Sequence, residues 1–148
     1  MYTSNKPGQI PCACTTVKKV SCVLGQAYDK SLASAGINNT QLTVLRCIAR
    51  RSGEPLARLA DELEMERTTL YRAVTPMARD GWVTLVDGPD ARSRTAALTK
   101  RGEQLLARAN DGWEETQSRI VAAFGEQQWN KLIKDLNRLA RAAEGAAP

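Results

Sequence analysis

One run of side chains in this sequence is equipped to hold an anion. Arg67, Thr68, Thr69, Tyr71, Arg72, Thr75 and Arg79 fall between positions 67 and 79, a stretch without a single carboxylate. Guanidinium, hydroxyl and phenol groups donate to phosphate oxygens and to base edges. Arg92 and Arg94 follow beyond a turn and add two more cations. A second reactive set is four thiols, Cys12, Cys14, Cys22 and Cys47, all in the first third of the chain. There is no histidine. That removes Ser-His and Cys-His nucleophile pairs and histidine metal sites. Neither a Gly-x-x-x-x-Gly-Lys nor a Gly-x-Gly-x-x-Gly phosphate loop occurs, so the chain is read as a non-enzyme with no cofactor and no metal.

The elements that would carry these groups follow from apolar spacing. Leu56, Leu59, Ala60 and Leu63 recur at helical intervals. Leu70, Val74, Met77 and Ala78 form a second stripe, and the Arg and Thr side chains occupy its opposite face, with Tyr71 at the margin. Pro76 falls inside this second helix, where it cannot donate to Arg72, so a bend or local loss of pairing is expected. Glu66 stands at the N-cap position, a weaker capper than Asp or Ser. Gly81 supplies a helix stop. Val83 and Leu85 alternate with Thr84 and Val86 as a half-buried strand does. Asp87-Gly88-Pro89-Asp90 is turn chemistry, and Ala96 and Leu98 lead back to the core. Thr99 is placed to cap the next helix. Helix, turn, helix and ribbon in this order predict a winged helix-turn-helix over residues 40–99, a shape suited to a DNA duplex.

Charge divides at the same point. Residues 55–66 set one arginine against four carboxylates, whereas residues 67–101 set seven lysines and arginines against three aspartates. Phosphate neutralisation supplies much of DNA affinity, so the placement of this basic excess favours double-stranded DNA as the partner. The whole chain has 148 residues, a net charge of +5 and 43% hydrophobic residues, which predicts one globular domain. No run is apolar enough for a membrane span and the N-terminus lacks a signal core, so no membrane role and a cytoplasmic location are expected.

The flanks read as helical. Residues 1–11, with Pro7, Gly8 and Pro11, form a loose arm, and residues 144–148 a disordered tail. A first helix is expected over 12–35, with a stripe of Val17, Val20, Leu24, Ala27, Tyr28 and Leu32 that Gly36 ends. Another spans Thr40 to about Arg51. Two more cover roughly 100–124 and 126–143, the last with Trp129, Leu132, Ile133, Leu136, Leu139 and Ala140 on one face. The central module is too small to cover all these faces. Residues 12–35 and 100–143 are therefore expected to pair with a second copy, giving a two-fold homodimer on a pseudo-palindromic site. The fold class is mainly α with a small β-ribbon.

The order of elements over residues 12–143 resembles the MarR family of bacterial transcriptional regulators. The resemblance rests on Glu66-Arg67-Thr68-Thr69-Leu70-Tyr71-Arg72, on Arg79-Asp80-Gly81-Trp82-Val83, and on Asp90-x-Arg92 followed by Ala97-Leu98-Thr99-x-x-Gly102. It implies a triangular homodimer with its helix in the major groove and wing arginines at the minor groove. It also implies repression relieved by a small aromatic acid or an oxidant. The tip Ala91-Arg92-Ser93-Arg94 departs from the adjacent arginines common in the family, so the resemblance does not choose between Arg92 and Arg94. In the hydroperoxide-sensing branch a reactive cysteine opens the first helix fourteen residues before a tyrosine, a spacing that Cys14 and Tyr28 reproduce. Lys18 and Asn39 stand where that branch has two activating tyrosines.

Three readings of the thiols stay open. Cys12 and Cys14 are incidental, and the dimer cleft near Cys22, Tyr28, Cys47 and Trp113 binds a small carboxylate. Alternatively, Cys14 is oxidised and pairs with Cys12 or with a cysteine of the second copy; a helix N-terminus and Lys18 favour the thiolate. Lastly, Cys12 and Cys14 offer two thiolates to a soft metal such as Cu(I). Cys22 and Cys47 read as small core residues. An architectural or RNA-binding role, or a protein-interaction module without signal sensing, is the alternative to a regulator.

Overall fold

The computed structural model describes residues 12–90 and 93–146. The element order is α1 (Ala13–Leu32), continued by a 3-10 turn (Ala33–Ala35), then α2 (Asn39–Arg50), α3 (Leu56–Glu62), α4 (Arg67–Arg79), β1 (Val83–Val86), β2 (Thr95–Leu98), α5 (Lys100–Phe124) and α6 (Glu126–Ala146). This is the winged helix-turn-helix arrangement with flanking helices that the sequence predicts. The expected arm, 1–11, lies outside the described residues. The expected tail, 144–148, needs correction over 144–146, where α6 continues to Ala146; 147 and 148 lie outside the described residues. Glu144 and Ala146 are good helix formers, and extending an existing helix is cheap enough to carry it through Gly145.

Local chemistry sets the element ends. Asn38 caps α2 through a capping box: its side chain accepts from the Gln41 N–H at 2.9 Å, and the Gln41 side chain accepts from the Asn38 N–H at 2.9 Å. Thr99 caps α5 by accepting from the Gly102 N–H at 3.0 Å. Gly81 ends α4 at φ 76°, a conformation that costs a residue with a Cβ about 1 kcal/mol or more. The turn from α3 to α4 holds Glu64 at φ 49° and is closed by the Met65 N–H donating to the Ala60 carbonyl at 2.9 Å.

The core is built where α2, α3, α4, β2 and α5 converge. Leu42, Leu45, Ile48, Leu56, Leu59, Leu70, Val74 and Met77 are fully buried there, and Leu105 and Ala109 close it from α5. Each large side chain so buried contributes roughly 1.5–3 kcal/mol. Arg50 and Arg51 at the end of α2 both bond Glu62, tying α2 to α3. The ribbon is antiparallel, with Val83 opposite Leu98 and Val86 opposite Thr95. No helix is long and apolar enough among the described residues to cross a membrane.

The first and last helices are another matter. Of the α1 stripe only Tyr28 and Leu32 are buried, while Val17 and Val20 stay exposed. No residue of α6 is buried.

Candidate nucleic-acid interface

Helix α4 is split lengthwise by burial. Leu70, Val74 and Met77 are pressed into the core. Arg67, Thr68, Thr69, Arg72, Thr75 and Arg79 are exposed on the other side, and Tyr71 is half-buried between the two. The core residues recur at four and three, so the polar positions between them have no choice but to face outward. Neither Arg67 nor Arg72 forms an ion pair among the described residues. Their guanidinium groups carry full charge into solvent. Arg79 differs, since its Nε donates to Asp80 at 3.3 Å. The Thr75 hydroxyl donates back to the Tyr71 carbonyl at 2.8 Å, which takes part of its hydrogen-bonding capacity inward.

Pro76 does not break this helix. Segment Arg67–Arg79 is continuous across it, and the Pro76 carbonyl accepts from the Asp80 N–H at 2.9 Å. Proline lacks the donor that would bond back to the Arg72 carbonyl, so that one helical bond is missing. Glu66 occupies the N-cap without a side-chain bond. The Thr69 and Leu70 N–H groups both donate to the Glu66 carbonyl, which leaves those of Arg67 and Thr68 as the first-turn donors without a helical acceptor, and such a helix start favours an anion.

The wing stands beside α4. Asp87 leaves β1 and Arg94 enters β2, and the Arg94 Nε donates to the Asp87 carboxylate. The Ser93 hydroxyl donates to the Asp90 carbonyl at 2.8 Å. Arg92, an expected site residue, lies outside the described residues, as does Ala91.

The thiols occupy three environments. Cys12 is the exposed N-cap residue of α1, and its pKa is lowered. The first cause is a bond with the Thr15 hydroxyl; bonds with the Thr15 and Cys14 backbone help, and the Lys18 charge adds a little. Cys14 is exposed as the second residue of α1, within the same first turn. Cys22 corrects the expectation of a core residue, because it is exposed. The reason is the exposure of all of α1 before Leu24, a stretch that no element among the described residues covers. Cys47 is fully buried, and burial pushes its thiol pKa up, as for an inert packing residue.

The expected cleft is only half assembled. Tyr28 and Trp113 stack with ring centroids 5.8 Å apart at 18°. Cys22 and Cys47 do not join them, the first facing solvent and the second lying in the core. Three residues that the sequence reading passed over complete the cluster instead. The Arg46 guanidinium sits 4.0 Å over the Trp113 ring, and its Nε donates to Asn110 at 2.9 Å. The Tyr28 hydroxyl donates to Gln117. Burial depresses the Arg46 pKa and raises that of Tyr28. Asn110, Trp113 and Gln117 share one face of α5 by their i, i+3, i+7 spacing, and that was the available signal. Nearby, a groove of about 310 Å³ runs between the end of α2, the wing base and α5, lined by Ala49, Ser52, Leu98, Glu103, Leu106 and Asn110 among others.

Comparison with known proteins gives the arrangement a family. The IclR helix-turn-helix domain matches residues 42–87, from α2 into the wing. The M. tuberculosis transcriptional regulator MosR, solved in complex with DNA, is 36% identical, with 93% of this chain and all of that one covered and a TM-score of 0.82. The regulator PecS of Dickeya dadantii is 25% identical over 132 residues, 85% of this chain and 78% of that one. Staphylococcus aureus MarR, solved with salicylate and kanamycin, shares the fold at 18% identity and a TM-score of 0.71, over 91% of this chain and 89% of its own. The chain belongs to the MarR family of winged helix-turn-helix transcriptional regulators.

Proposed function

We propose that the chain is a homodimeric, sequence-specific DNA-binding repressor that releases its operator on a signal. The observation that carries this reading is the divided surface of α4, with three apolar residues in the core and an unpaired, acid-free face of Arg67, Thr68, Thr69 and Arg72 outside. Such a face supplies both phosphate attraction and base-edge donors. Support comes from MosR, a 36% identical relative solved on DNA. On this reading Arg67, Thr68, Thr69, Tyr71 and Arg72 enter the major groove, with Arg72 at a base edge. Thr75 lies at the margin, and the wing, with Arg92 and Arg94, lies at the minor groove. Residues 40–99 form the DNA-binding module, while α1, α5 and α6 form the dimer.

The test is Arg72→Ala, titrated by fluorescence anisotropy against DNA from upstream of its own gene and against a scrambled duplex. Arg72 is exposed, so the fold should be untouched. Affinity for the cognate site should fall by about 1–3 kcal/mol and discrimination should shrink. An undiminished preference for the cognate site would remove Arg72 from base readout.

Two observations favour different signals. The half-buried Arg46 beside the Trp113 and Tyr28 rings pairs a cation with flat apolar surface, which suits a small aromatic carboxylate. Staphylococcus aureus MarR, of the same fold, was solved with salicylate. The exposed Cys12 thiol, held toward the thiolate beside Cys14, suits an oxidant. A hydroperoxide treatment separates them. If the thiols sense it, DNA affinity should fall by roughly 5- to 150-fold, the usual range of coupling between sites, and a thiol should restore it. Cys12→Ser should then be indifferent to oxidant. Indifference of the wild type would assign the signal to a ligand at Arg46.

A further inference from the structure

Arg94 is tied down on both sides of its backbone. Its Nε bonds the Asp87 carboxylate across the mouth of the wing tip, joining the arm that leaves β1 to the arm that enters β2. Its own carbonyl accepts from the N–H of Leu56, the first residue of α3, at 2.9 Å. The next residue, Thr95, bridges to Pro55. One residue thus links β1, β2 and the start of the helix-turn-helix. The Arg94 side chain is 36% exposed where that of Asp87 is 73% exposed, so the arginine is the more enclosed member of the pair. Its pKa is raised, first by the Asp87 bond and then by the Asp87 charge.

We infer that Arg94 is a positioning residue, which joins the two arms of the wing through Asp87, holds the wing base to the start of α3 through Leu56, and does not itself read the minor groove. The inference rests on the DNA-binding reading above and assigns one of its residues a different task. A wing held at a set angle to α4 delivers its tip to the groove beside the one α4 enters. A wing hinged freely at residues 87 and 94 must lose that freedom on binding, which weakens the complex.

The competing role makes the opposite prediction for one substitution. If Arg94 swings free to meet phosphate, Asp87 competes with DNA and adds unfavourable negative charge, so Asp87→Ala should tighten binding. If Arg94 positions the wing, Asp87→Ala should weaken binding even though it removes a negative charge from a DNA-facing surface. The sign of the change decides.

The experiment is an anisotropy titration at several salt concentrations, on DNA from upstream of its own gene. It uses the wild type, Asp87→Ala, Arg94→Ala and the exchanged double variant Asp87→Arg with Arg94→Asp. Each single change should weaken binding by roughly two- to fivefold, the scale of an exposed ion pair. The slope of log affinity against log salt should stay at the wild-type value in Arg94→Ala, whereas a lost phosphate contact would reduce it by about 0.9. The exchanged pair should recover most of the affinity. Tighter binding by Asp87→Ala, a reduced slope in Arg94→Ala, or an exchange no better than the single variants would each overturn the assignment. Hydrogen exchange at the Leu56 N–H reads the same link without DNA. It should speed up in both single variants and return in the exchange; an unchanged rate in the single variants would also overturn it. A wild type that binds no DNA would sink the DNA-binding reading, and the exchange rates would still judge the role of Arg94.

Discussion

Gly102→Ala should destabilise the protein by about 2–4 kcal/mol, although alanine is ordinarily the better helix former by up to about 1 kcal/mol. A Cβ at Gly102 would lie 2.0 Å from the Trp82 carbonyl oxygen and 2.9 Å from its carbon. Those are backbone atoms, which cannot rotate aside. The same carbonyl accepts the Thr99 N–H at 3.0 Å, the Thr99 hydroxyl donates to the Gly81 carbonyl at 2.6 Å, and Thr99 caps Gly102 itself. Pushing α5 away from Trp82 strains all three bonds together. Overpacking alone costs about 1–3 kcal/mol, and a lost cap adds about 1. For a chain of this size that lowers the melting temperature by roughly 10 °C. Thermal unfolding followed by circular dichroism measures it. A neutral or stabilised variant would mean that α5 can slide on the wing base, and with it that the DNA-binding module is not rigidly joined to α5.

That junction was legible in the sequence only in part. Thr99 announced itself as a cap because capping is local chemistry, read within three residues. The close approach of Gly102 to Trp82 depends on how a helix settles on a ribbon, and no spacing rule carries that information. The same division runs through the candidate interface. The acid-free face of α4 was readable because helical periodicity alone separates Leu70, Val74 and Met77 from Arg67, Thr68 and Arg72. Arg46, Asn110 and Gln117 were not, because their partners lie far away along the chain. Cys22 was misjudged for a related reason. Its neighbours in sequence are apolar, yet apolar neighbours bury a residue only where another element arrives to cover them. Pro76 was legible as a helix-interior proline, and α4 runs on through it with the one donor missing, since its other face is locked into the core.

What arrives to cover α1 and α6 is, on the reading above, a second copy of the chain, and Leu136→Glu should show it. Ile133, Leu136 and Leu139 are between 38% and 43% exposed along α6, and Val17, Val20, Val23 and Phe124 are exposed as well. Burying the part of each such side chain that is still exposed contributes on the order of 1 kcal/mol in a dimer. A glutamate at 136 removes one of these contributions and places a carboxylate in apolar surroundings. A two-fold axis repeats the damage in the partner. The penalty for burying an unpaired polar group is several kcal/mol, so the summed loss exceeds what a micromolar dimer can absorb. The single-chain core should survive, because no residue of α6 is buried in it. Sedimentation equilibrium should therefore find a folded monomer for Leu136→Glu and a dimer for the wild type. Binding to a two-half-site operator should fall by about 10²- to 10⁴-fold, because the second α4 is no longer delivered to a half-site about 34 Å away by its attachment to the first. Affinity for an isolated half-site should hardly change. A dimeric Leu136→Glu, or a wild type that is monomeric and still binds a full operator tightly, would place the apolar faces of α1 and α6 against some other partner and leave each DNA-binding module to act alone.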